Sequence, residues 1–271
     1  MKKLTVCGKG GSGKSTIVVL LANEMRRRGY HVLVVDSDES NSGLYRMLGF
    51  DEAPVPLMEL VGGRKGVKQR MSPKVTIGEA EPQMTILGQD EIWLTDIPSE
   101  HMLSRDGISL VSIGKISKSL EGCACPMGVL SREFLKKLCL KDNEMTIVDM
   151  EAGVEHFGRG VETSIDGVLI VVDPSFESLE IAQRIRGLAA GSGVDGVWAV
   201  LNKINSGELF SRLETELGKR DVAVLGSISY DAEVFEACLE GRPLHSKRAM
   251  EETGKLLDAL LQNEIFLGAE S

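Results

Sequence analysis

The sequence predicts an α/β protein: a mostly parallel sheet with helices on both faces. Three observations predict it. Short stretches that are apolar on both faces, His31–Asp36, Glu144–Met150, Gly167–Asp173 and Val197–Asn202, read as buried parallel strands. Helix-periodic stretches alternate with them at the length of crossover units. A glycine-rich loop joins the first strand to the first helix, as in phosphate-binding α/β proteins.

The elements follow in order. A strand at Lys2–Cys7 leads through the loop to a helix ending near Arg28. Ile17, Val18, Leu20, Leu21 and Met25 line one face of that helix, and Gly29 closes it. His31–Asp36 then runs into Asp36-Ser37-Asp38. Residues 50–107 are less regular. They hold most of the prolines, a basic patch (Arg64, Lys65, Lys68, Arg70) and short strand candidates at Lys74–Ile77 and Met84–Leu87. We read this stretch as an elaborated connection, so that residues 1–271 form a single domain. Ile108–Ile116 is a further strand. Pro126 suits the first turn of a helix carrying Met127, Leu130, Phe134 and Leu138 inward. Helices are expected at Ser175–Ala190, Gly207–Lys219, Ala232–Glu240 and His245–Gln262, with a last strand at Val222–Ile228. In such a sheet, ligands bind at the carboxyl ends of the strands.

Composition narrows the function classes. The chain has 42% hydrophobic and 26% charged residues, as a soluble globular protein does. Its net charge of −9 argues against a general nucleic-acid binder. The longest apolar run, Ile17–Ala22, falls far short of a membrane span, and the N-terminal apolar stretch is too short for a signal-peptide core. We expect a cytoplasmic protein with no membrane and no nucleic-acid partner. Five cysteines, an odd number, favour metal or redox chemistry over a disulfide scaffold.

Gly8-Lys9-Gly10-Gly11-Ser12-Gly13-Lys14-Ser15-Thr16 matches the phosphate-loop pattern G-x-x-x-x-G-K-[ST]. Its glycines let backbone N–H groups turn toward phosphate oxygens, and the helix that follows points its positive end at the same anion. Lys14 is placed to reach the β- and γ-phosphates of ATP, and the Ser15 hydroxyl to bind Mg²⁺. A glycine turn that binds nothing is the competing reading. Asp36 and Asp38 leave a buried strand toward this site. We expect Asp36 to support Mg²⁺ through its water shell and Asp38 to orient the attacking water. Asp149 ends another strand as a second Mg²⁺-linked carboxylate, and Gly153 could offer a backbone N–H to the γ-phosphate. Asn202-Lys203-Ile204-Asn205 follows a strand where guanine-specific GTPases end in Asp. Asn suits adenine better, with Asn202 as a candidate base contact.

Cys123 and Cys125 are too close for an easy disulfide but can ligate one soft metal. Cys125 lies at a helix N-terminus, which favours its thiolate, whereas Glu121 works against it. Two thiolates leave the ion half-coordinated, and a two-fold dimer would supply four. Cys7, Cys139 and Cys238 lie on apolar faces and read as core residues. His156 reads as a surface or loop-bracing residue, with metal contact the minor option.

Lys9-Gly-Gly-Ser-Gly-Lys14-Ser15 resembles the deviant phosphate loop of the family that includes MinD, ParA and the nitrogenase iron protein. Within it, three stretches resemble the carbon monoxide dehydrogenase maturation ATPases, the CooC type. They are Glu121–Gly128, Asp149–Gly160, and Ser229–Glu233 with Glu240–Leu244 downstream. The resemblance implies a P-loop NTPase fold of the SIMIBI, MinD-like class. It also implies a homodimer in which Lys9 reaches the partner's phosphates, and Tyr230 near the adenine. The activity implied is ATP hydrolysis coupled to nickel delivery, with carbon monoxide dehydrogenase as client. Two alternatives compete. An iron–sulfur reductase like the nitrogenase iron protein would carry its cluster cysteines in separate segments. A MinD- or ParA-like positioning ATPase would carry a basic tail or DNA-binding face, whereas Met250–Ser271 is amphipathic but acidic.

Overall fold

A computed structural model describes residues 1–39, 43–71, 87–115, 125–151, 164–194 and 196–268. Eight strands form one sheet: β1 (Lys3–Gly8), β2 (His31–Ser37), β3 (Met102–Arg105), β4 (Ile108–Ser112), β5 (Glu144–Met150), β6 (Gly167–Val172), β7 (Val197–Ile204) and β8 (Ala223–Ser229). Their spatial order is β3-β4-β2-β5-β1-β6-β7-β8. All neighbours pair in parallel except β3 with β4. The expected α/β architecture is therefore present.

The antiparallel edge was not anticipated. Asp106 and Gly107 both have positive φ, 49° and 84°, and make the two-residue turn between β3 and β4. Asp-Gly between two strand-like runs is a recognised hairpin signal. β4 stops at Ser112, short of the expected Ile116, which lies outside the described residues. The strand candidates Lys74–Ile77 and Met84–Leu87 also fall outside them, apart from Leu87, which is in no strand.

Helices cover both faces because successive strand residues point opposite ways. On one face, Val32 and Val34 of β2, Leu4 and Val6 of β1 and Leu169 of β6 pack against two helices, α1 (Lys14–Arg27) and the C-terminal Lys247–Gly268. On the other, Leu33, Val35, Cys7 and Ile170 meet helices at Cys125–Lys137, Phe176–Gly191 and Gly207–Gly218. The remaining helices are α2 (Leu44–Met47), α3 (Leu57–Leu60), α4 (Gly63–Met71) and one at Ala232–Glu240. In chain order the helices after α4 are α5 (Cys125–Lys137), α6 (Phe176–Gly191), α7 (Gly207–Gly218), α8 (Ala232–Glu240) and α9 (Lys247–Gly268). Among the described residues no helix is long and apolar enough to cross a membrane.

α1 is buried more widely than its single apolar face suggested, since Val19, Ala22 and Glu24 are also buried. Its C-terminus is the expected Gly29 cap. Gly29 has φ 91°, its N–H donates to the Arg26 carbonyl, and Tyr30 N–H donates to that of Met25. Glu24 accepts from Arg27 at 2.7 Å and Arg28 at 2.8 Å. Arg28 also donates to Asp258 at 2.6 Å and the Gly254 carbonyl at 2.8 Å, tying α1 to α9. Arg28 is one of two arginines on the buried Glu24 and its link to α9, so its loss leaves that carboxylate with Arg27 alone. Arg28→Ala is therefore expected to lower stability by about 1–3 kcal/mol, read from the urea midpoint with an unchanged slope.

Candidate functional site

The phosphate loop leaves the carboxyl end of β1 and enters α1. Two glycines permit its path. At Gly8 (φ 139°) a Cβ would come within 2.5 Å of the Val171 carbonyl oxygen. At Gly13 (φ 100°), which precedes α1, a Cβ would come within 2.2 Å of Asn202 Nδ2. Both positions demand glycine on conformation and on space.

The loop is braced from β7. Asn202 Nδ2 donates to the Ser12 carbonyl at 2.8 Å, and its Oδ1 accepts from Lys203 N–H at 2.9 Å. Lys203, at φ 61°, sends Nζ to the Gly11 carbonyl at 2.6 Å. The residue expected at the base thus also holds the loop in place. Gly10 and Gly11 form the exposed crest, while Ser12 and Lys14 are buried. Lys14 Nζ donates back to the Lys9 carbonyl at 3.4 Å.

Parallel pairing sets Asp36 opposite Asp149 and Asp149 opposite Val6, so three strand ends converge. Ser15 Oγ donates to Asp149 Oδ2 at 2.7 Å. Burial pushes the Asp149 carboxyl up to about 7; Asp36 and Asp38 add to the rise, and Ser15 and Lys14 oppose it. Burial likewise pushes Asp36 up to about 6, against the opposing charge of Lys115. Lys115 Nζ lies 2.7 Å from Asp36 Oδ2. Asp38 is buried beside them, and its N–H donates to Asp36 Oδ1 at 3.3 Å.

Lys9 turns toward the start of α6. Its Nζ donates to Ser175 Oγ at 3.2 Å and lies 3.4 Å from Glu177 and 3.9 Å from Asp173. Burial favours the neutral acid at Asp173. Bonds from the Ser178 and Ser175 hydroxyls and the charges of Lys9 and Lys203 outweigh it and hold the carboxyl below its usual range.

A cleft of about 400 Å³ opens beside the loop. Its floor is Gly11, Gly13, Lys14, Ser15 and Thr16, with Asp38, Asn202 and Lys203 nearby. Its far wall is Met47, Ile228, Tyr230, Val234, Phe235 and Cys238. An apolar wall facing a phosphate cradle is the shape a nucleotide fills, with the base on the wall. Tyr230 and Phe235 are half exposed, their ring centroids 6.3 Å apart. Cys238 is exposed, not a core residue, with Sγ 3.6 Å from Thr16 Oγ1. Cys7 is buried and Cys139 half-buried.

Sequence reasoning missed Lys115, Phe235 and Cys238. Phe235 and Cys238 lie one turn apart on α8, a spacing that reads equally as a core face. Cys123, Gly153 and His156 lie outside the described residues, and Cys125 is the first residue of α5. Among the described residues no group of three or more His, Cys, Asp and Glu side chains forms a metal cage. The Ser15, Asp149 and Asp36 side chains, the two carboxyls buried, do fit a nucleotide-borne Mg²⁺, because a divalent cation would offset carboxylates that burial now disfavours.

The raised carboxyl pKa values fix a pH dependence. Between the ordinary value of 3.8 and about 7, the folded, nucleotide-free protein retains protons that the unfolded chain releases. Stability must therefore fall as pH rises through that window. Asp149→Asn is expected to stabilise the nucleotide-free protein by on the order of 1–3 kcal/mol at pH 8, and by little at pH 4.5. Urea unfolding at the two pH values checks this.

The family description "CobQ/CobB/MinD/ParA nucleotide binding domain" matches residues 4–244. An ATP-binding protein of Methanocaldococcus jannaschii is 40% identical over 245 residues, covering 90% of this chain and 94% of its own. The carbon monoxide dehydrogenase accessory protein CooC of Rhodospirillum rubrum is 30% identical over 273 residues, covering 96% of each chain. Among solved structures, MinD of Pyrococcus horikoshii complexed with Mg-ADP gives a TM-score of 0.68 at 16% identity, over 100% of this chain and 98% of that one. MinD of Aquifex aeolicus gives 0.65 at 19% identity, over 97% of each. The phosphate loop, the converging strand ends and these likenesses agree: the chain belongs to the CobQ/CobB/MinD/ParA family of nucleotide-binding domains, as an ATP-binding P-loop NTPase of the MinD/ParA type.

Proposed function

We propose that this protein is an ATP-hydrolysing, nickel-binding maturation factor that helps insert nickel into carbon monoxide dehydrogenase. It acts as a homodimer linked by ATP and by the metal. The observation that carries this reading is the Cys123-x-Cys125 pair, whose second cysteine opens α5, in a chain 30% identical to an accessory protein of that enzyme.

Water attacks the γ-phosphorus of ATP, and ADP and inorganic phosphate leave. Asp38, buried beside the loop, orients that water. Lys14 meets the phosphate charge from within the chain. Ser15, Asp149 and Asp36 would hold Mg²⁺, which neutralises charge on the β- and γ-phosphate oxygens when bound. Gly153 offers its N–H to the γ-phosphate. Asn202 and Lys203 keep the loop in shape, and Tyr230 covers the base.

Lys9 acts across the dimer. In the single chain its ammonium rests on Ser175 and Glu177. Reaching a partner's phosphates means exchanging those contacts for a bound nucleotide, so ATP favours assembly. Assembly brings two Cys123/Cys125 pairs together, and four thiolates complete a site for nickel, the cargo. Zinc would fit the same thiolates. Hydrolysis removes the γ-phosphate and with it the contact that favours the dimer.

Cys123→Ser with Cys125→Ser is expected to abolish binding of one nickel per dimer while ATP affinity stays within about twofold. Metal analysis of the ATP-bound dimer, with equilibrium dialysis for nucleotide, checks this; a double variant with wild-type nickel content sinks the metal assignment. Lys9→Ala is expected to stay monomeric with ATP and to lose about 10²-fold or more in kcat. Light scattering and phosphate release measure the two, and a monomer with normal turnover excludes the trans role.

A further inference from the structure

No motif marks Lys115, yet it contacts both Asp36 and Asp38. It lies three residues past β4, the neighbour of β2. Ser112 pairs with Asp36, and Ile113 N–H donates to the Asp36 carbonyl at 2.9 Å, continuing the ladder. Gly114 then passes so close to α5 that a Cβ there would lie 3.1 Å from Met127 Sδ. This path delivers Lys115 Nζ to 2.7 Å from Asp36 Oδ2 and, at 2.5 Å, to the Asp38 carbonyl. One ammonium thus contacts a carboxylate expected at the magnesium water shell and the backbone of the residue expected at the attacking water.

We propose that Lys115 is a positioning residue for phosphoryl transfer: an internal cation that competes with Mg²⁺ for the Asp36 end of β2 and fixes the Asp38 backbone. The inference rests on the ATPase reading and is independent of nickel. These two contacts have separable effects. The charge lowers the negative potential that draws a divalent cation. The hydrogen bond to the Asp38 carbonyl sets where the Asp38 side chain stands.

Two variants separate them. Lys115→Gln removes the charge and keeps a donor; Lys115→Met removes both. Binding of a fluorescent ADP analogue is measured against Mg²⁺ concentration at pH 8, and again in EDTA, alongside steady-state hydrolysis and thermal melting. Both variants are expected to lower the Mg²⁺ concentration at half-saturation by about 3–10-fold, because the carboxylates lose a competing cation. Binding in EDTA should stay within about twofold of wild type, since Mg²⁺-free nucleotide meets the loop and not Asp36. Lys115→Met alone should lose about tenfold or more in kcat. A merely structural lysine would weaken nucleotide binding and Mg²⁺ response together, the opposite sign. Half-saturation unchanged or raised in Lys115→Gln overturns the proposal, and that variant decides the matter if Lys115→Met fails to fold. A wild-type protein that binds no nucleotide refutes the ATPase reading and this inference with it. A competent wild type with unshifted variants refutes the inference alone.

Discussion

Two carboxylates buried side by side set the terms for this molecule. Asp36 and Asp149 are register partners on adjacent parallel strands, so neither can withdraw from the other without breaking the β2–β5 ladder. Burial opposes charge on both. Each is supported locally, Asp149 by the Ser15 hydroxyl and Asp36 by Lys115. That support is incomplete, since both carboxyls still stand well above their ordinary range. A fold that keeps such a pair is strained toward a positive ligand, and the phosphate loop one strand away supplies the place where Mg²⁺-nucleotide would bring one.

The loop itself depends on contacts from the far side of the sheet. Gly8 passes against Val171 of β6, and Gly13 against Asn202 of β7. Asn202 and Lys203 then hold the Ser12 and Gly11 carbonyls. Carbonyls held this way point toward β7, which commits the peptide groups to one orientation before any phosphate arrives. The positive φ at Lys203 belongs to the same arrangement, because it lets one dipeptide address two successive loop carbonyls. Preorganisation of the cradle therefore rests on β7 as much as on the glycine pattern.

The strands of this fold were legible because parallel strands buried on both faces are apolar throughout, and the loop because its chemistry needs fixed residue types at fixed spacing. Asp36, Asp38 and Asp149 followed from lying at strand ends. Lys115 was not legible for a topological reason. Sequence gives β2 and β4 as strands but not as neighbours, and only their adjacency brings a lysine after one to a carboxylate ending the other. The apolar wall at Phe235 and Cys238 was hidden because a helix face that lines a cleft carries the same periodicity as one that lines a core. The β3–β4 hairpin was written in Asp106-Gly107 but lay in a stretch whose prolines and basic residues suggested irregularity. Asn202 braces the loop, a role that no spacing rule tells from the expected base contact, since a side-chain amide serves a base edge or a backbone carbonyl equally well.

The end of β2 connects this site to the thiol pair from both sides in sequence. Before the pair, Lys115 contacts Asp36 and Asp38. After it, Ser131 of α5 receives a hydrogen bond from Ser37 at 3.2 Å. Arg64 bridges Glu39 and Met127, at 3.3 Å and 3.6 Å. Four consecutive residues, Asp36 to Glu39, therefore grip the chain on either flank of Cys123 and Cys125. A set of contacts of this kind carries a displacement only if the residues at its origin have two preferred positions. The buried carboxylates give them a reason to: their preferred surroundings differ with and without a divalent cation. Under the proposed function, coupling between nucleotide and metal would then need no separate relay, because the strand end proposed to meet the cation is the one that contacts both flanks of the thiol segment.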